Sequence, residues 1–470
     1  MRRRLLIASN RGPVEYRRDP DGTTVATRGA GGLVAALRPL VDHHDVTWVA
    51  SARRDAELPD HGKEARTERS AAGADYRLRL VAHDPEAYRL FYTVAANPVL
   101  WFVLHGLTEL LEQRGAAVER AWVEGYREVN RALAEAVLEE LRRTPEAALL
   151  VQDYHLMCVA PLIRARVPHA AIAHFSHTPW ASPDEWRSIP PRIIAEVHEG
   201  LLACDSIGFH TERWRVAFVD CCDSLLGRGE DAERQTHVNP VPADAPTLEA
   251  LVASAEVAAR RATLRADRPA ALVVRADRTD PAKNAVRGFQ AFGLLLDRRP
   301  DLHGHVSLLA LLDPSRQEIP EYAAYRVEIE RAAAAVCARH GRAGWAPVVL
   351  EVRDDLAASV AAYLEYDVLL VNPVRDGLNL VAKEAPLVNE RNGVVVLSRE
   401  AGAFAELEPF VIATDPFDLE AQAASLERAL ALVPADRARL AGGLADHVRS
   451  ATVDDWASRE LEALDARAEG

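Results

Sequence analysis

The feature that most constrains this chain is a repeated alternation of short apolar runs with longer amphipathic stretches. The runs at 5–9, 46–50, 148–152, 171–175 and 206–209 occupy the first half, and those at 271–275, 305–310, 348–352, 366–371, 394–398 and 410–413 the second. Short apolar runs bounded by turn residues and separated by helix-length segments predict βαβ units whose parallel sheets are covered on both faces. Between the third and second runs, Trp122, Tyr126, Val129, Leu133, Val137 and Leu141 recur at spacings of three and four, which predicts a helix ending before Thr144 and Pro145. From 227 to 247 the sequence GRGEDAERQTHVNPVPADAPT loses its periodicity and gains Gly, Pro and charge, as a connector between domains does. A chain of 470 residues is too long for one hydrophobic core. We expect an α/β protein with two doubly wound, Rossmann-like domains, 1–240 and 241–450, facing one interdomain cleft, and a terminal helix over 451–470 that crosses back to the first domain.

Charge narrows the partners. Fifty-six basic against 70 acidic residues leave a net charge of −14, the wrong sign for nucleic acid or an anionic membrane surface. A phosphorylated ligand would therefore need a local basic pocket. The opening MRRRLLIASNRGP carries too short an apolar run for a signal peptide, and no stretch approaches the roughly 18 uncharged residues of a membrane span. Five cysteines without CxxC spacing suggest neither a disulfide framework nor a zinc site. A cytoplasmic protein is expected. Homo-oligomer formation is compatible with the sequence, although the apolar helix stripes are accounted for by a core.

Four junctions that follow apolar runs carry polar residues a core does not require. SNRGP (9–13) is followed by RGAGGL (28–33), where Gly31 and Gly32 open a helix whose amides favour a phosphate, a weak signal taken alone. VQDYHLM (151–157) places Asp153 and His155 at a strand end, where a helix-capping aspartate is the ordinary explanation and sugar binding the alternative. HFSHTPW (174–180) ends a strand at His177. VRADRTDPAKN (274–284) sets Arg278 and Lys283 five residues apart at a strand mouth, where two cations could clamp a diphosphate and stabilise a departing nucleotide. That reading gains from VNPVRDGLNLVAKEAPLVNER (371–391), in which a strand passes through Asp376 and Gly377 into a helix with Glu384, a residue placed to hold a ribose diol.

With these junctions in hand, the chain resembles the trehalose-6-phosphate synthase family, retaining glycosyltransferases of the GT-B fold (family 20). The resemblance runs from Leu5 to Trp456 through SNR, GGL, the 92–101 segment, QDYHLM, HTPW, SIGFHT (206–211), DRTDPAK, DPSR (313–316), RDGLNLVAKE and LSREAGA (397–403), all in family order. It implies a donor site at Gly32, Arg278, Lys283, Leu380, Val381 and Glu384, with Asp376 near the transferred sugar and His177 beside the reacting centre. It also implies an acceptor site at Arg11, Tyr92, Trp101, Asp153 and Arg316, and a first domain that mainly binds the acceptor beside a second that mainly binds the nucleotide sugar. The implied reaction moves glucose from UDP- or GDP-glucose to glucose 6-phosphate. No obligatory cofactor or metal is expected, with magnesium at most a modest aid, because the donor position has no DxD. One departure stands out: where trehalose-forming members show a WxGW-type segment, this chain has Trp48-Val49-Ala50-Ser51. Ser51 there makes the chain resemble also the pseudo-glycosyltransferases that couple an NDP-cyclitol to an aminocyclitol phosphate. A non-catalytic sugar-nucleotide sensor ranks below both, because the clamp and the phosphate cradle are present.

Overall fold

The computed structural model describes residues 3–18, 24–28, 32–52, 64–70, 73–111 and 115–468. The chain divides into two compact units, residues 1–241 with 453–470, and residues 242–452.

The first unit carries strands β1 (Arg4–Ser9), β2 (Val14–Arg18), β3 (Thr24–Arg28), β4 (Asp45–Ser51), β5 (Arg66–Arg69), β6 (Asp75–Val81), β7 (Ala148–Gln152), β8 (Ile172–Ser176), β9 (Ser206–Phe209) and β10 (Thr236–Val238). β2 and β3 form an antiparallel hairpin of their own. The others make a sheet in the order β10-β9-β8-β7-β1-β4-β6-β5, parallel except where β5 runs against β6. β1, β7, β8 and β9 are buried along nearly their whole length, the mark of a sheet covered on both faces. β1 pairs with β4 on one side and β7 on the other, so the order of connection reverses there, which makes it a topological switch point.

The second unit carries β11 (Ala271–Arg278), β12 (Val306–Asp313), β13 (Val348–Val352), β14 (Val368–Val371), β15 (Val394–Ser398) and β16 (Ile412–Thr414) in the order β13-β12-β11-β14-β15-β16, all parallel. This is the doubly wound nucleotide-binding order, with its switch point between β11 and β14. Val273, Phe289, Phe292, Leu308, Leu370 and Val396 pack in its core with no exposed surface beyond 1%. Each such side chain contributes about 1.5–3 kcal/mol of burial free energy.

Several local outcomes differ from the sequence reading: β2, β3, β5 and β6 lie outside the apolar runs, and two further stretches behave differently. Residues 229–238, read as connector, form a helix (Gly229–Gln235) and the edge strand β10. The pairing of β10 with β9 and the packing of Ala232 hold a stretch whose own periodicity is weak. The stripe that begins at Trp122 is not one continuous α-helix: a wide π turn (Trp122–Tyr126) precedes the helix Arg127–Arg143. Gly125 explains the local geometry, since a Cβ there would lie 2.5 Å from the amide nitrogen of Phe91, and the segment Phe91–Leu100 facing it is also π-helical.

The last helix, Val453–Ala468, belongs to the first unit. Its Trp456 is buried, donates from Nε1 to the Asn239 carbonyl (3.1 Å) and meets the edge of Phe175 at 5.2 Å. Glu460 accepts from Asn239 (2.7 Å) and pairs with His237 (2.9 Å).

Candidate active site

In the first unit the polar residues converge where the switch-point strands end. Beyond β1, Arg11 is exposed and donates from Nη2 to the Tyr92 hydroxyl at 3.1 Å. Tyr92 lies in the π-helical segment and is one member of a stack: its ring is 6.0 Å from Tyr88 and 6.3 Å from His155, nearly parallel to both. Asn97 fixes the segment by donating to the Tyr92 carbonyl (2.8 Å) and accepting from the Tyr154 hydroxyl (2.6 Å). Trp101 opens the next helix and stacks on His105 at 3.9 Å.

Beyond β7, Asp153 adopts φ 68 and ψ 171, a backbone region that side chains strongly disfavour. It makes no side-chain cap bond; instead Oδ1 accepts the His177 amide at 3.2 Å. The capping explanation of Asp153 therefore gives way to a contact that ties two strand ends together. His177 follows β8 directly, with Nε2 3.0 Å from Gln152 Oε1. The residue is half-buried, and burial pushes its pKa down to about 3. At neutral pH it is an uncharged imidazole that exchanges hydrogen bonds. Gln152 was not singled out from the sequence, although it sits in the quoted VQDYHLM run.

Ser51 ends β4 and is buried; its hydroxyl lies 3.0 Å from Nε2 of His83, just beyond β6. His83 stacks on Tyr88 at 5.4 Å, so it extends the aromatic ladder that includes Tyr92. Burial lowers its pKa to about 4. No motif in the sequence marks His83. Of the glycine turn, Gly31 lies outside the described residues, and Gly32 begins the helix Gly32–His43.

In the second unit the site surrounds the β11 and β14 ends. Lys283 closes the short turn after β11 and donates from Nζ to Asp376 Oδ2; both side chains are 13% exposed. Asn379 donates to the same oxygen at 3.0 Å. Arg278, the last residue of β11, keeps 40% of its side chain exposed and lies 3.6 Å from the buried Asp280. Beside it in register stands Asp313, whose carboxyl is raised to about 6 by burial and the nearby Asp354. Arg316 is carried by this unit, whereas Arg11 and Tyr92 are on the first. Its guanidinium donates to the Tyr322 hydroxyl (2.5 Å), lies 3.7 Å from Asp280 and is 8% exposed.

Leu380 precedes the helix Val381–Val388, and Glu384 sits in that helix's first turn. Desolvation, and next Asp244, raise the Glu384 carboxyl to about 7. The turn before the helix is held by the loop after β15: the Asp376 amide donates to the Glu400 carbonyl and the Gly402 amide to the Asp376 carbonyl, each 3.0 Å. Backbone strain is concentrated at these places. Among the described residues, the non-glycine positions with positive φ are Asp153, Asn284, Arg316, Asn379 and Asn392, and all but the last belong to or adjoin the candidate site. Such conformations cost about 1–3 kcal/mol each and persist where the surroundings enforce them.

This geometry has a family. The sequence matches Glycosyltransferase family 20 over residues 3–466. The chain belongs to glycosyltransferase family 20. Within that family it is 32% identical over 492 residues to the trehalose-6-phosphate synthase of Mycolicibacterium gilvum, covering 98% of this chain and 94% of that protein. It is 29% identical over 489 residues to the validamine 7-phosphate valienyltransferase of Streptomyces hygroscopicus subsp. jinggangensis, with the same coverage of 98% and 94%. Among solved structures, the E. coli trehalose-6-phosphate structure bound with UDP-2-fluoro glucose superposes with a TM-score of 0.84 at 25% identity, covering 98% of both chains. The α,α-trehalose 6-phosphate synthase of Burkholderia multivorans has a TM-score of 0.81 at 28% identity over 100% of this chain and 99% of that one. The family 20 chain thus has the GT-B fold and is a glycosyltransferase. Among the described residues no helix is long and apolar enough to cross a membrane, and no cluster of three or more His, Cys, Asp or Glu side chains could hold a metal ion.

Proposed function

We propose that the protein transfers glucose from a nucleoside-diphosphate glucose to the anomeric hydroxyl of glucose 6-phosphate, forming trehalose 6-phosphate with retention. The observation that carries this reading is the grouping of Arg278, Lys283, Asp376 and Glu384 at the switch point of the second sheet. In this reading Arg278 and Lys283 hold the diphosphate, Glu384 accepts from the ribose hydroxyls, the chain at Leu380 and Val381 supplies amides, and Asp376 orients the transferred sugar. On the first unit Arg11 and Tyr92 are assigned to the acceptor phosphate and Trp101 and Asp153 to its sugar; Arg316, on the second unit, is assigned to the acceptor phosphate as well. His177, uncharged, hydrogen-bonds a hydroxyl near the reacting carbon.

In the transfer, the acceptor oxygen forms a bond to C1 as the bond from C1 to the diphosphate oxygen breaks. The acceptor proton passes to the departing diphosphate, so no carboxylate nucleophile is needed. Both events lie on one face of an oxocarbenium-like sugar, which is how configuration is retained. Cations fixed where charge develops lower the barrier, and one preorganised group supplies about 3–4 kcal/mol. The two side chains provide positive charge without a divalent ion, so treatment with EDTA should leave turnover within about twofold. The deciding experiment incubates the protein with UDP-glucose or GDP-glucose and glucose 6-phosphate and identifies the product by mass spectrometry and NMR. An α,α-1,1-linked disaccharide phosphate formed catalytically supports the reading and selects the nucleotide; no product from either donor defeats it.

The Ser51–His83 pair supports a second reading. It places a hydroxyl and a neutral imidazole where the WxGW-type segment of trehalose-forming members carries a tryptophan, and one relative is named a valienyltransferase. Here an NDP-cyclitol and an aminocyclitol phosphate would be joined through a C–N bond. The same product analysis with those substrates separates the two.

A further inference from the structure

Beneath Lys283 lies a polar cluster that the transfer chemistry does not use directly. Arg275, in the middle of β11, is completely buried. Its guanidinium donates to the Lys283 carbonyl and, at 2.7 Å, to Asn372 Oδ1, and it pairs with Asp277 at 2.9 Å. Asn284, next to Lys283, is 2% exposed and left-handed at φ 61. Its amide donates to the carbonyls of Asn372 (2.9 Å) and Pro416 (2.8 Å). Asn372 in turn donates to Gln422 Oε1 (2.7 Å), and Gln422 donates to the Pro416 carbonyl (2.9 Å). Asn372 and Gln422 have no exposed surface. Even the neighbouring helix is shaped for this cluster, since a Cβ at Gly288 would lie 2.6 Å from Arg275 Nη1.

Burying so many polar groups is unfavourable unless they are paired; here both terminal guanidinium nitrogens of Arg275 are paired while its Nε is not, and a connected set of this kind resists displacement of its members. Arg275 bonds the Lys283 carbonyl, and Arg275, Asn284 and Gln422 all bond Asn372, just beyond β14 on the chain that leads to Asp376. We propose that Arg275, Asn284, Asn372 and Gln422 are positioning residues that fix the Lys283 ammonium relative to Asp376, so that the donor's diphosphate meets a cation already in place. The proposal rests on the assignment of Lys283 to the diphosphate. Misplacement by about 1 Å far from the chemistry costs on the order of 100-fold in rate, and a flexible four-carbon stem such as that of lysine is held only through its backbone and its partner.

The test compares binding of UDP with UMP, and of GDP with GMP, in the wild type, Lys283→Ala, Asn284→Gly and Gln422→Met, together with transfer rates. Asn284→Gly removes the side-chain bonds while tolerating the left-handed backbone. We expect it to weaken diphosphate binding about tenfold and monophosphate binding less than twofold, and to lower kcat more than it changes the acceptor KM. If Lys283→Ala selectively weakens the diphosphate but Asn284→Gly affects both nucleotides equally or neither, the positioning role is overturned. If Lys283→Ala itself leaves diphosphate binding unchanged, the clamp assignment fails instead. Should Asn284→Gly not fold, Gln422→Met carries the same comparison.

Discussion

Lys283 and Asp376 form an ion pair across the ends of β11 and β14, the ammonium donating to Oδ2 while Asn379 donates to the same oxygen. A cation and a carboxylate that neutralise one another without substrate can divide their attention when it arrives: the ammonium toward a diphosphate, the carboxylate toward sugar hydroxyls. Lys283→Ala should therefore lower kcat by about 100-fold or more. Asp376 keeps Asn379, so the melting temperature should move only slightly. Steady-state kinetics beside a thermal melt checks this, and near-wild-type turnover would refute the clamp.

Arg278 and Arg316 approach the same buried carboxylate, Asp280, at 3.6 and 3.7 Å. Arg316→Ala should raise the KM for the phosphorylated acceptor while leaving that for the donor unchanged. If donor KM rises instead, Arg316 belongs with the diphosphate clamp through their shared partner.

The buried Glu384 carboxyl, raised from 4.5 to about 7, predicts pH-dependent nucleotide binding. Only the ionised form offers both oxygens as charged acceptors to a ribose diol, and hydrogen bonds to charged groups are worth about 1.5–3 kcal/mol. Nucleotide affinity should rise on the order of tenfold from pH 6 to 8, and Glu384→Gln should flatten the profile in calorimetric titrations. Stability takes the opposite sign. The folded protein binds this proton more tightly than the unfolded chain, so the contribution is complete below about 4.5 and is lost as pH rises through about 7.

Gly402 makes the loop after β15 a template for the donor turn: a Cβ there would lie 1.9 Å from the Gly377 carbonyl oxygen. Gly402→Ala must displace residues 376–378. Overpacking of this kind costs about 1–3 kcal/mol, and donor KM should rise with little change in acceptor KM. Unaltered stability and donor KM would show that the two loops move apart freely.

Ser51→Ala removes the hydroxyl at 3.0 Å from His83. We expect a change of acceptor KM or acceptor preference with donor KM unaffected, measured for glucose 6-phosphate and an aminocyclitol phosphate side by side. With its pKa lowered to about 4, His83 should add no inflection to the acceptor KM between pH 6 and 8.

Much of this was legible in the chain because it depends on local chemistry. Runs such as 148–152 and 394–398 are apolar on both faces, and a strand buried on both sides needs no distant information to be recognised. Strand-end motifs likewise placed Lys283, Asp376 and Glu384 on junctions that the sheet order then gathered at one switch point. Other outcomes depend on partners far away in sequence. Residues 229–238 are ordered because β9 offers an edge; the terminal helix was expected at the first domain, but the contacts that hold it there, Trp456 with Phe175 and Glu460 with Asn239 and His237, come only from the fold. The strained Asp153, the Ser51–His83 pair and the cluster around Arg275 were equally hidden. The bonds from Asp153 to His177, Ser51 to His83 and Arg275 to Asn372 link residues 24, 32 and 97 positions apart, and a conformation unfavourable by itself is stable only when the surrounding fold supplies the bonds that enforce it.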